Sequence, residues 1–344
     1  MRAAVAREGA VAEEQVDDPA PGPGQVLVAP IACGICGSDL HLVEAQAGMA
    51  DLIPAMVLGH EFVAELLDYG PETERRIAAG SKVTSVPYLD TPAGPQLIGL
   101  SPLTPGALAE LTVLQESRLL PVPAGLDATL AALAEPLAVG IHAVAAARMD
   151  RRDVALVVGC GPVGLSVIAA LKALGHGPIV AAEFSAARRR LAETTGADVV
   201  VDPADTSAYS TWAELAGSPL PPSPLLGTQR PNTVVFECVG LPGVLQSIID
   251  SATPHTRVVV VGVCNQPDSI TPVTAITKEL SLQFVFAYRP EEFELALRRI
   301  VDGTVAVEPW VTRTCGLQYV TEAFSQLRQP GDQCKILVTP QTNR

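Results

Sequence analysis

The feature that most constrains the fold is a glycine-rich segment, Gly159-Cys160-Gly161-Pro162-Val163-Gly164. It follows an apolar run, residues 153–158, and precedes a helical pattern over residues 162–174. An acidic residue, Glu183, stands nineteen positions after the last glycine. A buried strand, a G-x-G-x-x-G turn, a helix and a distal carboxylate in this order form a dinucleotide-binding fingerprint. The sequence therefore predicts a dinucleotide site in this part of the chain.

Each part of the fingerprint has a physical role. The first glycine permits a tight turn, the second lets the backbone approach a pyrophosphate, and the third allows close packing of helix on strand. The helix N-terminus supplies free N–H groups for the phosphates. We expect Glu183 to accept hydrogen bonds from the adenosine ribose and to repel a 2′-phosphate, which favours NAD over NADP. The basic run Arg188-Arg189-Arg190 could instead bind a 2′-phosphate, although three basic residues on one helical turn are more often a solvated face.

The segments around the fingerprint predict a parallel sheet. Apolar strands that alternate with helices are typical of a sheet covered on both faces. A proline-rich stretch, residues 219–231, predicts a surface loop inserted between two of these units. The predicted strands are 153–158, 178–183, 198–202, 232–238 and 256–261, with helices at 162–174 and 185–194.

The segments on either side have a different character. The N-terminal part predicts β structure, a loop over 88–106, and a helix over 128–148 that Asp127 caps and Pro136 interrupts. After about residue 286 the pattern predicts helices at 291–302 and 320–328 with short strands between them. This tail is too small for a domain, so we expect it to fold back onto the N-terminal part. The predicted N-terminal strands are 2–14, 25–33, 57–69, 82–86 and 107–114.

Composition limits the partners and the compartment. At 344 residues the chain suits two domains, and its formal charge of −14 argues against nucleic acid or an anionic membrane surface as partner. The N-terminus has no apolar run like a signal peptide, and we expect no stretch to reach the length of a membrane span. The seven cysteines are an odd number in mostly apolar surroundings, which indicates reduced thiols. We therefore expect a cytoplasmic protein.

Side chains suited to catalysis or metal binding cluster near residue 36. Cys36, Ser38 and His41 lie within six positions, and His60-Glu61 follow about twenty residues later. A further carboxylate, Glu135, lies in an otherwise apolar run. Cys, His and Glu hold zinc at catalytic positions, where three protein ligands leave one position open. We therefore predict a catalytic metal.

Simpler interpretations exist for some of these residues. Cys33 and Cys36 form a C-x-x-C pair, but a zinc ribbon needs a second pair that the chain lacks, so we interpret Cys33 as a small buried hydrophobe. Ser38 and Asp39 could be turn formers. His60 alone would be a hydrogen-bonded core histidine, but Glu61 beside it and Cys36 upstream favour a metal ligand.

These motifs together resemble a known family. Cys36-Gly-Ser-Asp-Leu-His41, Gly59-His60-Glu61, Glu135-Pro136 followed by Gly140-Ile-His-Ala143, and the fingerprint at Gly159 are similar to the motifs of zinc-dependent medium-chain alcohol dehydrogenases, in the same order and spacing. Because residue 135 is Glu and not a third Cys, the chain looks most like the branch with sorbitol, threonine and butanediol dehydrogenases. The resemblance implies an α/β architecture, with a GroES-like β-rich catalytic domain (1–148), a Rossmann domain (149–286) and a C-terminal return to the catalytic domain (287–344).

The resemblance also implies roles for single residues. Cys36 and His60 would be direct zinc ligands, and Glu61 and Glu135 are both candidates for the third protein position. Ser38 and His41 match the family's proton relay from substrate oxygen through the cofactor ribose to the surface. The expected cofactor-binding residues are Gly159, Gly161, Pro162, Val163, Gly164, Glu183, Arg188, Cys238, Val239, Gly262, Val263 and Lys335.

Two departures from the family pattern matter. The chain has no cysteine between Cys36 and Cys160, so the four-cysteine structural zinc lobe common in the family is absent and we expect one zinc ion. Ala287 stands where the polyol branch has a substrate-contacting arginine, which favours a simple secondary alcohol or vicinal diol over a sugar alcohol. The chain is expected to be a homo-oligomer, a dimer or tetramer.

The implied reaction is a reversible hydride transfer between an alcohol carbon and C4 of NAD, with zinc as Lewis acid. One alternative is a zinc-free quinone or enoyl reductase of the same superfamily, against which Cys36, His60 and Glu135 argue together. Another is a nucleotide-binding regulatory protein that has kept the fold without catalysis. The zinc content of the purified protein discriminates between these alternatives.

Overall fold

The structure is a computed structural model that describes residues 1–49, 52–217, 233–329 and 331–341. It divides into two compact units. The first comprises Met1–Glu135, Phe293–Gly303 and Val311–Arg344, and the second comprises Pro136–Glu292 and Thr304–Trp310. The proline-rich loop predicted over 219–231 lies outside the described residues.

The elements follow the chain in this order. The strands are β1 (Arg2–Arg7), β2 (Ala10–Gln15), β3 (Gln25–Gly34), β4 (Met56–Val57), β5 (Glu61–Tyr69), β6 (Lys82–Ser85), β7 (Tyr88–Thr91), β8 (Gly94–Leu97), β9 (Thr112–Gln115), β10 (Leu119–Pro121), β11 (Val154–Val158), β12 (Ile179–Ala182), β13 (Val199–Val201), β14 (Thr233–Glu237), β15 (Arg257–Val260), β16 (Ser281–Phe284), β17 (Val311–Cys315) and β18 (Lys335–Val338). The helices are α1 (Gly37–Gly48), α2 (Ala134–Ala147), α3 (Pro162–Ala173), α4 (Ala186–Thr195), α5 (Ala208–Ala216), α6 (Val244–Ser251), α7 (Pro272–Thr277), α8 (Pro290–Val301) and α9 (Val320–Arg328).

The main sheet of the first unit has the order β10-β6-β5-β3-β18-β17, with β9 also paired to β3. In β3, alternate residues are buried along most of the strand, as expected when one face packs on a core. β3 runs antiparallel to both β5 and β18, with Gly34 opposite Glu61 and also opposite Leu337. The C-terminal segment thus joins the N-terminal sheet, and three distant parts of the chain meet where β3 ends.

A hydrophobic core holds this sheet together. Its largest fully buried side chains include Phe62, Leu66, Leu114 and Phe324. Burying side chains of this size stabilises a fold by about 1.5–3 kcal/mol each. The ends of β3, β5 and β18 are therefore held on a rigid support.

Several sequence predictions in this unit were wrong in detail. The strand predicted over 2–14 is an antiparallel pair, β1 and β2, and the strand predicted over 57–69 is divided into β4 and β5. The loop predicted over 88–106 contains a hairpin, β7 and β8, with Tyr88 opposite Leu97. The hydroxyl of Thr91 donates to the carbonyl of Gly94 at 2.8 Å and so closes the turn. Pro92 lies in this turn and Pro95 lies in β8 directly after it, so these prolines are compatible with the flanking strands. The strand predicted over 107–114 is shorter, because only residues 112–115 form β9 while Ala109 makes a single bridge to Ala3.

The helix predicted over 128–148 consists of two parts. Asp127 caps the start as predicted, since its carboxylate accepts the N–H of Thr129 at 3.0 Å. The segment Ala128–Leu133 is a 3₁₀ helix and α2 begins at Ala134, so the break precedes Pro136. Pro136 lies in the first turn of α2, where a missing N–H removes no intrahelical hydrogen bond.

This region also corrects an expectation about membranes. By length and composition the segment Ala128–Ala147 could cross a membrane, so the prediction that no stretch reaches that length was wrong. In the structure 72% of an apolar stretch of 18 residues within this segment is buried inside the protein, as in a core helix.

The second unit contains a six-stranded sheet in the order β13-β12-β11-β14-β15-β16, and every neighbouring pair is parallel. If the six strands are renumbered from 1 in chain order, the order in the sheet is 3-2-1-4-5-6. This is the order of two mononucleotide-binding halves, and the direction of the strand order reverses between β11 and β14. Leu156, Val180, Val235 and Val258 fill one face together with Trp212, whose indole N–H donates to Val154 O at 2.9 Å. The predicted parallel sheet is confirmed.

Candidate metal and nucleotide sites

The end of β3 and the start of β5 bring together three of the predicted metal ligands. The ligand atoms of Cys36, His60 and Glu61 all lie within 4.8 Å of one another. His60 and Glu61 are buried, whereas Cys36 is partly exposed. Gly34 makes room for this arrangement, because a Cβ there would lie 2.1 Å from a carboxylate oxygen of Glu61.

Asp39 links α1 to this group. One oxygen, Oδ2, accepts the backbone N–H of Cys36 at 2.9 Å, which fixes the residue at the helix N-terminus. The other, Oδ1, lies 3.5 Å from Nδ1 of His60, and neither of these buried atoms has a hydrogen-bond partner among the described residues. On the other side of the ring, Ser38 Oγ lies 3.3 Å from Nε2. Asp39 is therefore placed to orient the imidazole, a role that the sequence analysis missed when it allowed only for a turn former.

The surroundings of His60 favour its charged form. Burial by itself lowers the pKa of the imidazole, but the nearby Asp39 carboxylate and the Cys36 side chain outweigh burial and raise the pKa well above its ordinary value. A metal would compete with a proton for this ring. Burial raises the pKa of Cys33 and so keeps its thiol protonated, which agrees with our interpretation of Cys33 as a small buried hydrophobe.

Glu61 has a partner that the sequence does not suggest. Both of its oxygens accept from Nζ of Lys335, at 2.7 and 2.6 Å, and the same ammonium donates to Ile35 O at 3.1 Å. Burial lowers the pKa of Lys335, but the Glu61 charge outweighs burial and raises it, so the ammonium stays charged. Lys335, which was predicted to contact the cofactor, is held at Glu61 in this structure.

The donor set fits zinc. Sulfur, imidazole nitrogen and carboxylate oxygen are its usual protein ligands, and three of them leave an open fourth position. Glu135 lies in the first turn of α2 and is not part of the group of three that Cys36, His60 and Glu61 form in the described residues. His41, predicted as the outer member of a proton relay, is partly exposed, with Nδ1 3.6 Å from Glu44 Oε2.

The glycine-rich loop in the second unit has the geometry that the fingerprint predicts. Gly159 has φ +89°, and a Cβ on Gly164 would lie 1.9 Å from Gly159 O, so both positions require glycine. A Cβ on Gly161 would meet nothing within 4 Å. The space over Gly161, at the N-terminus of α3, is thus the cradle that a pyrophosphate would fill.

Glu183, directly after β12, lies beside this loop. Its carboxylate accepts the N–H groups of Cys160 and Ser185, both at 2.9 Å, and so joins the glycine-rich loop to the turn before α4. Arg189 pairs with Asp202 at 2.7 Å and donates to the backbone carbonyls of Glu183 and Phe184. This leaves a carboxylate at the position that faces a ribose in the fingerprint.

Among the other predicted cofactor residues of the second unit, Pro162 and Val163 begin α3, and Arg188 lies in the first turn of α4 with its N–H donated to Ser185 Oγ. The rest lie in two loops, 238–240 after β14 and 261–263 after β15. Cys238 continues the sheet, donating its N–H to Val158 O at 2.9 Å, while Val239 and Val263 are exposed. The two loops are joined by Glu237, a buried residue that the sequence analysis did not single out.

Comparison with known proteins agrees with this fold. The model of the alcohol dehydrogenase GroES-like domain matches residues 22–124, and that of the zinc-binding dehydrogenase matches residues 162–302. The chain is 31% identical to (R,R)-butanediol dehydrogenase of Bacillus subtilis, over 95% of this chain and 96% of that protein. It is 30% identical to sorbitol dehydrogenase of Ovis aries, over 93% and 90% respectively. The crystal structure of 2R,3R-butanediol dehydrogenase from Bacillus subtilis matches with a TM-score of 0.82 at 30% identity, covering 99% of both chains.

A GroES-like β unit with a Cys-His-Glu group and a Rossmann sheet with a glycine-rich loop define a zinc-binding alcohol dehydrogenase. The chain belongs to the zinc-dependent medium-chain alcohol dehydrogenase family. The predicted family and fold class are confirmed.

Proposed function

We propose that this protein oxidises a secondary alcohol or vicinal diol reversibly, with one zinc ion and NAD as hydride acceptor. The observation that carries the proposal is the convergence of Cys36, His60 and Glu61 within 4.8 Å. A nucleotide loop with its glycines in place supplies the second requirement.

The roles of the residues follow from their positions. Cys36, His60 and a carboxylate, Glu61 or Glu135, would hold the ion, and Asp39 would keep the imidazole oriented. Bound zinc supplies Lewis-acid chemistry, which makes loss of the alcohol proton feasible near neutral pH.

The proton needs a route away from the site. Ser38, whose hydroxyl lies beside His60, is the candidate first acceptor, and partly exposed His41 is the candidate exit to solvent. The hydride is taken by the nicotinamide, so the protein has only to hold the alcohol carbon and the ring together.

Glu183 supports NAD over NADP. A carboxylate beside the glycine-rich loop accepts ribose hydroxyls and repels a 2′-phosphate. We expect Glu183→Ala to narrow the preference for NAD by about tenfold or more, measured as the ratio of kcat/KM values. A wild-type enzyme that prefers NADP would contradict this part of the proposal.

The names of the relatives suggest the substrate class. The Bacillus subtilis relative is a butanediol dehydrogenase and the Ovis aries relative a sorbitol dehydrogenase. For this chain we favour a secondary alcohol or diol over a sugar alcohol, because Ala287 replaces the arginine expected of the polyol branch.

The test is a substrate panel on zinc-loaded protein. Secondary alcohols, vicinal diols, polyols and threonine would be assayed with NAD and with NADP. We expect the highest kcat/KM for a secondary alcohol or diol with NAD. Activity restricted to quinones or enoyl compounds, or no activity with zinc bound, would overturn the proposal.

We further propose a homo-oligomer in the cytoplasm. All seven cysteines are free thiols, which suits a reducing compartment. β16 ends the six-stranded sheet, and Phe284 and Phe286 beside this edge are 64% and 75% exposed. A second copy of the chain could cover this edge, since exposed strand edges pair readily. Light scattering of the purified protein tests the oligomer, and a monomer at micromolar concentration would contradict it.

A further inference from the structure

Glu237, the last residue of β14, ties together the two loops that follow β14 and β15. Its side-chain oxygen Oε1 accepts the N–H groups of Val239 at 2.7 Å and Gly240 at 2.8 Å. Its backbone carbonyl accepts the N–H groups of Val261 and Gly262, both at 2.9 Å. The residue is 3% exposed. A buried carboxylate is costly unless it is hydrogen-bonded, so these contacts keep it in place.

The two loops also pack backbone against backbone. Gly240 has φ +70°, and a Cβ there would lie 2.6 Å from Val263 O. A Cβ on Gly262 would lie 2.4 Å from Gly240 N and 2.7 Å from Glu237 Oε2. Neither loop can shift without disturbing the other or the carboxylate between them. The Glu237 side chain therefore holds the first loop directly, and its backbone carbonyl and this close packing tie the second loop to the first.

The position of the loops in the sheet indicates what they serve. Ligands of open parallel sheets bind beyond the carboxyl ends of the strands, and a dinucleotide spans the two halves of the strand order. Glu183 follows β12 in the half that takes the adenosine. β14 and β15 belong to the other half, which leaves the nicotinamide nucleotide for the loops after them.

We propose that Glu237 is a positioning residue that fixes loops 238–240 and 261–263 for binding of the nicotinamide half of the cofactor. The inference rests on the proposed function, since it takes the ligand to be a nicotinamide dinucleotide. Glu237 acts through the loops, by accepting two N–H groups that would otherwise be buried without a partner.

The experiment compares Glu237→Leu with Glu237→Gln in the full-length protein. The leucine variant removes the acceptor, whereas glutamine keeps an oxygen that can accept both N–H groups. We expect the leucine variant to bind NADH about tenfold or more weakly, with glutamine restoring most of the loss. Affinity for AMP, which carries only the adenosine half, should stay within about twofold of wild type in both variants. Calorimetric titration measures both ligands.

Two further variants make the result decisive. Glu214→Leu removes an exposed carboxylate on α5 and should change neither affinity. Gly262→Ala keeps the Glu237 side chain but pushes the second loop away from the carboxylate and from Gly240, so it should weaken NADH binding and spare AMP binding even if the leucine variant does not fold.

The outcomes separate this inference from the proposed function. If Glu237→Leu and Gly262→Ala bind NADH like wild type, or lose AMP as much as NADH, or if glutamine restores nothing, the positioning role is wrong. A wild-type protein that binds neither NADH nor AMP would contradict the proposed function itself, and with it the inference.

Discussion

Nζ of Lys335 lies 2.7 and 2.6 Å from the two carboxylate oxygens of Glu61, joining residues 274 positions apart in the sequence. Both side chains are almost fully buried, at 2% and 1% exposure. The ammonium thus neutralises a carboxylate that also lies beside Cys36 and His60. Any account of the metal site has to include this pair.

Lys335→Met should destabilise the protein by about 3–5 kcal/mol, because it leaves the Glu61 charge buried without its partner. Urea unfolding in the presence of a chelator measures this effect without a contribution from metal binding. The matched control is the double variant Glu61→Leu with Lys335→Met, which should recover most of the loss because no charge remains buried. A single variant as stable as wild type would show that the pair does not stabilise the fold.

Gly161→Val should separate nucleotide binding from stability. The backbone at Gly161 is extended, with φ −70° and ψ −174°, and a Cβ added there would meet no protein atom within 4 Å. Since a Cβ fits without a clash, we expect the free energy of unfolding to change by only about 1 kcal/mol or less. NADH affinity should fall about tenfold or more, since the side chain fills the pyrophosphate cradle.

The contrasting variant is Gly164→Ala. Its Cβ would lie 1.9 Å from Gly159 O, so it should destabilise the second unit by about 1–3 kcal/mol. If Gly161→Val bound NADH normally, the cradle would not be the phosphate site.

Tyr209 should make stability depend on alkaline pH. Burial raises the pKa of Tyr209 to about 12, partly opposed by a hydrogen bond with Ser247 and assisted by the Glu237 charge. In the unfolded chain the tyrosine pKa is about 10. The folded pKa is the higher one, so the contribution is fully present below about pH 10 and is lost as the pH rises toward about 12.

The comparison is with Tyr209→Phe, which cannot ionise. The stability of wild type relative to this variant should decrease between about pH 10 and 12. Urea unfolding of both proteins at matched pH values checks this. A constant difference across that range would mean that Tyr209 ionises equally well in the folded protein.

The sequence was most informative where the signal is local. The glycines at 159 and 164 are specified by turn geometry and close packing within one βα unit, and the structure places both in those roles. The parallel strands were recognisable because strands buried on both faces are continuously apolar. β16 escaped prediction because it ends the sheet, where residues such as Ser281 and Phe284 are exposed.

Interactions across long separations could not be predicted from the sequence. Nothing near Lys335 indicates that β18 lies beside β3, and only that pairing brings its ammonium to Glu61. Asp39 and Glu237 were missed for a related reason. Each looks like an ordinary carboxylate within its own element. The role of Asp39 depends on the imidazole of His60, and the role of Glu237 depends on the loop 261–263, both of which come from other segments.

The central claim is that Cys36, His60 and a carboxylate hold one zinc ion for catalysis. Its most direct test is the zinc content of the purified protein by elemental mass spectrometry, together with Cys36→Ser and His60→Ala. We predict about one zinc per chain in wild type, little in either variant, and turnover abolished while NADH binding is largely kept. A wild-type protein without zinc, or a variant that keeps both its zinc and near-normal turnover, would contradict the account.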